Sequence, residues 1–470
     1  MRVLLTYPRS RTEARHWIGS TLLSRLVENF ECTPDDRDDW LLQLVTSERG
    51  DHLGLDKELR ISDAFFQNAN GAWLRRESLP SLPLGVLVLE RVGLRPLPTR
   101  SELPVLYGEP VFSRTQCGQA HLGIDIFGSA FFMLSRYEEL LPAEQDEHGR
   151  FPASASIAVQ AGILHRPLID EYVELLWETM NSLWPRLQRR TRKFRMLPSH
   201  DVDAPSRYAF QGVSRTLRES LGDGLKRNDW RLALRGPWQW LHGQFRLHPR
   251  DVYNTFDWIM DRSEAQGVKS AFYFVPGGSD SPFDPTYDIR DRAIQSLMAR
   301  IHRRGHEIGL HPSYESALAP ERIVREAARL RVECDKLGID QPECGARMHY
   351  LRWKTPVTML GLEEARLDYD TTLSYASHAG FRCGTCLEYP AFDVVSNRVL
   401  RLRIRPLIAM DDSIRAACYM GLGNSVNALE TLCALKSQCR MVAGDFTLLW
   451  HNSNLCTAVD REMYNAVLIA

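Results

Sequence analysis

Phe194-Arg195-Met196-Leu197-Pro198-Ser199-His200-Asp201-Val202-Asp203 is the stretch around which the chain is organised. It reads as a short strand that ends in a loop. Side chains alternate across a strand, so Asp201 and Asp203 share one face, their Cα atoms roughly 7 Å apart. That gap lets one carboxylate hold a metal while the other reaches a water on it. The same pair also suits a loop in which both aspartates cap a turn or helix. Alone, it does not choose between the two.

Downstream, strand and helix patterns alternate. Candidate strands are 194–201, 270–275, 307–311, 346–350, 367–373, 399–406 and 446–451, with helices over 253–266, 290–304 and 320–337. The last helix has Pro320 at its entry and Gly338 past its exit, with Ile323, Ala327, Leu330, Cys334 and Leu337 on one stripe. Seven strands in βα order predict a parallel sheet or a distorted, incomplete (β/α) barrel, whose chemistry gathers at the carboxyl ends of the strands. An insertion over 214–250 carries Trp230, Trp238 and Trp240 and is rich in Lys and Arg. It suits a helical lid packed by its tryptophans, or a platform for sugar rings or an anionic surface.

Upstream, residues 1–190 read as a mixed α/β domain of unassigned role. Candidate strands are 3–7, 40–46, 59–65 and 85–92, followed by helices over 124–141 and 167–184. No nucleotide-binding loop or repeat is present. The basic run Arg186–Arg195 reads as a solvated helix end and linker, which sets the boundary of a second domain over 191–470.

Across 470 residues, 58 Lys and Arg against 59 Asp and Glu give no global electrostatic case for nucleic acid. No apolar run approaches a membrane span, and the N-terminus is too short in apolar residues for a signal peptide. The ten cysteines are scattered, as free thiols in a reducing compartment are. Cys383 and Cys386 form a lone CxxC better explained by packing than by metal. The cytoplasm is the simplest placement, with peripheral membrane contact left open.

Three further clusters fall at strand ends. In Gly305-His306-Glu307-Ile308-Gly309-Leu310-His311, alternation makes His306 structural and leaves His311 as a ligand. In Arg347-Met348-His349-Tyr350, the arginine can hold an aspartate ionised, while His349 is a ligand or a substrate contact. In Leu449-Trp450-His451, a histidine ending the last apolar strand can serve as a general acid.

Taken in this order, the clusters resemble the polysaccharide deacetylases of the NodB-homology type, carbohydrate esterase family four, over about residues 194–453. The whole chain resembles a subgroup with an extra N-terminal domain. The resemblance implies a metal-dependent hydrolase that removes acetyl from an N-acetylated sugar or sugar conjugate, in surface polysaccharide metabolism. It implies Asp203 and His311 as ligands of a divalent metal, most often Zn²⁺. Asp201 becomes the base, steadied by Arg347, and His451 the acid, oriented by Asp411. Trp238, Trp240 and Tyr350 are candidate substrate contacts.

One departure matters. The family's second ligating histidine stands four residues after the first, where this chain has Glu315. The third ligand is therefore open between Glu315, His349 and water, and a site that binds no metal stays open as well. Two rivals follow: an amidohydrolase on another C–N bond, such as a ureide or formamide, and an inactive glycan-binding scaffold.

Overall fold

In the computed structural model, Arg2–Pro8 forms strand β1, with Val3, Leu5 and Tyr7 buried and Arg2 exposed. The structure describes residues 1–45, 57–97, 100–116, 118–225, 230–243, 245–279 and 281–469. Two compact units are formed. The first comprises Met1–Arg195 with Gly380–Pro406 and Leu435–Phe446; the second comprises Met196–Ala379, Leu407–Ala434 and Thr447–Ala470.

In the first unit, β1 joins β2 (Phe30–Asp35), β3 (Trp40–Val45), β4 (Glu58–Ile61), β7 (Gly108–Arg114) and β8 (Gln119–Ile124) in the order β2-β1-β3-β4-β8-β7. A separate ribbon pairs β5 (Gly85–Val88) with β6 (Glu102–Val105). Thr46, expected to end β3, lies outside the described residues.

Several elements of this unit differ from expectation. The strand expected over 59–65 stops at Ile61, and Ala64–Ala72 is helical. Asp63 between them is taken by Arg15 at 2.7 Å and by the Trp40 indole, and Asp125 accepts from the Phe65 amide at 2.8 Å. The strand expected over 85–92 ends at Val88, before a 3-10 turn closed by Gly93 at φ 75°. The helix expected over 124–141 is shorter, Ile126–Leu134. Asp125 caps its start from Gly128 N at 2.7 Å, and Arg136, at φ 53°, turns the chain and donates to the Met133 carbonyl.

The second unit begins with β9 (Arg195–Asp201), then β10 (Ala271–Phe274), β11 (Glu307–Leu310), β12 (Gly345–Ala346) and β13 (Tyr369–Asp370). The chain next returns to the first unit for the antiparallel hairpin β14 (Tyr389–Asp393) and β15 (Arg398–Ile404). The strand expected over 399–406 forms as β15, which is also one arm of a hairpin with β14. The second unit is completed by β16 (Ala409–Met410) and the end of β17 (Asp445–Leu449). Two expected strands shrink to two residues each in β12 and β13: a 3-10 turn over His349–Leu351 follows the first, and Asp370 accepts from the Thr372 amide at 2.8 Å after the second.

Within this unit the order is β13-β12-β11-β10-β9-β17-β16; β9 to β13 pair in parallel, as do β16 and β17. Register aligns the carboxyl ends: Asp201 opposite Tyr273, Phe274 opposite Leu310, Leu310 opposite Ala346, Ala346 opposite Asp370, and Met410 opposite Leu449. Residues just past those ends therefore emerge on one rim. Tyr273 and Tyr369 fill the interior beneath, their hydroxyls 3.0 Å apart. A Cβ at Gly309 would meet the Tyr273 ring at 2.3 Å, and one at Gly345 the Tyr369 ring at 2.1 Å. Glycine is needed at both positions. The helix Pro320–Leu337 has its expected bounds and ends at Gly338, φ 65°. The insertion forms two helices, Val213–Leu225 and Trp230–Gly243.

Candidate metal and catalytic centre

β9 delivers Asp201 to the rim, and Asp203 follows in the loop. Arg347, directly after β12, donates to Asp201 Oδ1 at 2.8 Å, to Ser199 Oγ at 2.7 Å and to the Thr371 carbonyl at 3.0 Å. Its guanidinium lies over the Tyr273 ring, 4.7 Å from the centroid. Both side chains are buried. A fully satisfied arginine of this kind fixes one carboxylate oxygen and leaves the other facing the site. That second oxygen, Asp201 Oδ2, is 3.8 Å from His311 Nε2.

His311, just past β11, donates from Nδ1 to the Arg347 carbonyl, which leaves Nε2 as a lone pair. His349 donates from Nδ1 to Asp284 Oδ1 at 2.7 Å, with the same result. Both free nitrogens face Asp203 Oδ1, at 3.3 Å from His311 and 3.6 Å from His349. One ligand atom from each of Asp203, His311 and His349 lies within 4.8 Å of the others. Asp203 Oδ1 and His311 Nε2 are buried and make no hydrogen bond. Two orphaned donor atoms aimed at one point, each imidazole fixed by an outer acceptor, fit a divalent cation. Two imidazoles and one carboxylate suit zinc with a position left open.

The electrostatics agree with that fit. Burial would raise the Asp203 carboxyl, but His349, His311 and His451 hold it well below the usual carboxylate range. Burial disfavours charge on His311, yet Asp201, Asp203 and the Arg347 carbonyl raise its pKa. The cluster favours positive charge between its members.

His451, past β17, closes the opposite side. Its Nε2 is 3.6 Å from Asp203 Oδ2, and its Nδ1 is 2.8 Å from Asp411 Oδ1. Asp411 is held in turn by Asn454 Nδ2 and the His451 amide, at 2.8 and 3.0 Å. Burial works against the imidazolium, but Asp411, Asp412 and Asp203 raise the His451 pKa well above its ordinary value.

Glu315 is not part of this cluster. Its side chain is 53% exposed and lies 3.9 Å from Arg352. His306 is also elsewhere, accepting from Ser270 N at 3.1 Å. A cavity of about 210 Å³ opens beside Asp203, walled in part by Ser206, Phe210, Gln211, Phe283, Asp284 and Tyr287. Trp238 and Trp240 do not line it. Trp238 points to solvent, and the Trp240 indole donates to the Gln211 carbonyl at 2.8 Å. Tyr350 packs edge-on to His349, centroids 4.8 Å apart, and to Tyr314. Phe283 stacks on Tyr314 at 4.4 Å and meets Tyr350 edge-on at 5.5 Å, so Tyr350 links His349 to an aromatic cluster. Sequence reasoning missed Asp284, Phe283 and Tyr314; Pro282 and Pro285 around the first two signalled only a turn.

A family model described only as a family of unknown function, DUF7033, matches residues 4–185. No curated protein matches the chain. Among solved structures, it is similar to a candidate polysaccharide deacetylase from Mycobacterium smegmatis, at 14% identity and TM-score 0.37. That match covers 60% of this chain and 84% of the other. It is also similar to Puue allantoinase, at 10% identity and TM-score 0.34, over 58% of this chain and 82% of the other.

Proposed function

We propose that the second unit is a metal-dependent hydrolase that removes the acetyl group from an N-acetylated sugar or sugar conjugate. The observation that carries the proposal is the convergence of Asp203, His311 and His349 beside two separately supported proton carriers, Asp201 and His451.

Asp203, His311 and His349 would hold the metal, and the bound metal supplies Lewis-acid polarisation of the amide carbonyl and of the attacking water. Asp201, fixed by Arg347, accepts the proton of that water. His451, charged and steadied by Asp411, gives a proton to the leaving nitrogen. Amide and water become acetate and a free amine, and the two carriers exchange protons with solvent to reset. The exposed rings of Phe283 and Tyr350 offer apolar faces on which a sugar ring can rest.

Acetate release from N-acetylated sugars tests the reading, with the zinc-loaded wild type compared with Asp201→Asn. The variant should keep its metal and lose activity by about 10²–10⁴-fold. Undiminished acetate release would refute the role of Asp201. Ammonia or formate from a ureide or formamide, with no acetate, would move the reaction to another C–N bond. Glycan binding without turnover of any such substrate would leave a scaffold.

A further inference from the structure

The two helices of the insertion are built inside out. In a helix packed on a domain the large apolar residues face inward and the polar ones face water. Here, among the described residues and Trp240 apart, the inward ones are small or polar. Thr216, Ser220 and Gln239 are buried, and a Cβ on Gly236 would meet Ser220 Oγ at 2.0 Å. A Cβ on Gly243 would meet Ala209 Cβ at 2.4 Å, so the second helix sits hard against the loop after Asp203. The large apolar residues are outside. On the first helix Leu217, Leu221 and Leu225, four apart, are 49%, 59% and 72% exposed. On the second, Trp230, Leu234, Trp238 and Leu241 are 52–80% exposed. Spacings of three and four put each set on one helical stripe. Neither stripe contributes to the core, and patches of this kind mark an interaction surface.

The charge of the segment says what covers it. Residues 213–250 hold eight Lys and Arg against three Asp and Glu, in a chain that is otherwise balanced. Leu217, Trp230, Leu234 and Phe245 are each followed in sequence by arginine. Pairing with a second copy would bring these like charges together. An anionic lipid surface meets both features, since leucine and tryptophan enter the headgroup region while basic residues attract the lipid charge. Among the described residues no helix is long and apolar enough to cross a membrane. Helices of 13 and 14 residues have the length to lie flat.

We propose that the helical pair over 213–243 is a peripheral docking device that seats this unit on an anionic lipid bilayer. It adjoins the site through Gln211, whose carbonyl receives the Trp240 indole and which also walls the cavity beside Asp203. Docking therefore fixes that cavity close to the lipid surface, and the proposal holds whether or not the unit is a hydrolase.

The experiment is co-sedimentation of the full chain with vesicles of phosphatidylcholine, with and without phosphatidylglycerol. Binding should be at least about tenfold tighter with the anionic lipid and should weaken in high salt. A triple variant, Leu221→Gln, Leu234→Gln and Trp238→Gln, changes only exposed side chains. It should lose binding by about tenfold or more with an unchanged thermal midpoint. Equal binding to both vesicle types, or unchanged binding by the triple variant, would overturn the proposal. So would failure of the wild type to bind, including the case where light scattering reports a dimer that the triple variant abolishes.

Discussion

Asp284 accepts the Nδ1 proton of His349 at 2.7 Å, and this one bond sets which nitrogen faces Asp203. The imidazole cannot present its lone pair to a cation unless the other nitrogen keeps its hydrogen. Removal of the acceptor in Asp284→Ala should weaken zinc binding by about 10–100-fold. His349→Ala should weaken it further, and Glu315→Ala should leave it unchanged. Competition against a chromophoric chelator measures all three. Loss of zinc in the Glu315 variant would return the third ligand to that position.

Asp411 should act on the pH profile more than on folding. Burial opposes the charge on His451, and Asp411 is the first group to offset it. A general acid works while protonated, so activity falls as pH rises through its pKa. Asp411→Asn removes the main raising influence and should shift the alkaline limb of kcat to lower pH, with the acid limb in place. A uniform loss of activity at every pH would make Asp411 a structural residue only.

His200 should govern part of the acid stability. It lies on β9 with its ring buried, within 2.7 Å of the Trp450 carbonyl, and burial lowers its pKa from 6.5 to about 3. The folded chain therefore keeps it neutral while the unfolded chain protonates it. Its stabilising contribution is complete above pH 6.5 and is lost as pH falls toward 3. In that window the wild type should lose up to about 1.4 kcal/mol per pH unit more than His200→Asn. Urea unfolding at a series of pH values checks the slope; parallel curves would refute the assignment.

In the first unit, Asp170 accepts from Arg25 at 2.9 Å, Thr385 Oγ1 at 2.6 Å and the Cys386 amide at 2.9 Å. Asp170→Ala would leave the buried Arg25 guanidinium without its counter-charge. A loss of about 3–5 kcal/mol is expected. Chemical denaturation followed by a first-unit signal reads it. A loss under about 1 kcal/mol would mean that water or Thr385 replaces the carboxylate.

Legibility followed the range of the physical signal. Asp201, Asp203, His311 and His451 were visible because strand alternation and a terminal position are local properties, readable within a few residues. That His349 and not Glu315 lies beside Asp203 was not, because Glu315 sits at the expected spacing while Asp284, from a distant loop, orients the other side chain. The helix Thr12–Leu23 was also missed, although Ala14, Trp17, Ile18, Thr21 and Leu22 stand at helical spacing. Its buried face carries the polar Arg15 and Thr21, which dilute the apolar stripe. The insertion holds two helices, but Trp230 and Trp238 are exposed and do not pack it as the lid reading expected. Its inversion was hidden, since periodicity identifies an apolar stripe without saying which way it faces.

The two late segments of the first unit bear on how the chain is made. Trp17 stacks on Phe392 at 4.8 Å, and Asp170 is shared with Thr385, so early residues find their partners some 200 or more positions later. On a ribosome the N-terminal stretch must wait, incompletely closed, while the whole of β9 to β13 emerges. Its final pieces arrive only once residue 446 has been added. Cellular helpers that shield nascent chains, and the pace of translation through 196–379, should therefore control the yield of native molecules more than the intrinsic folding speed of either unit.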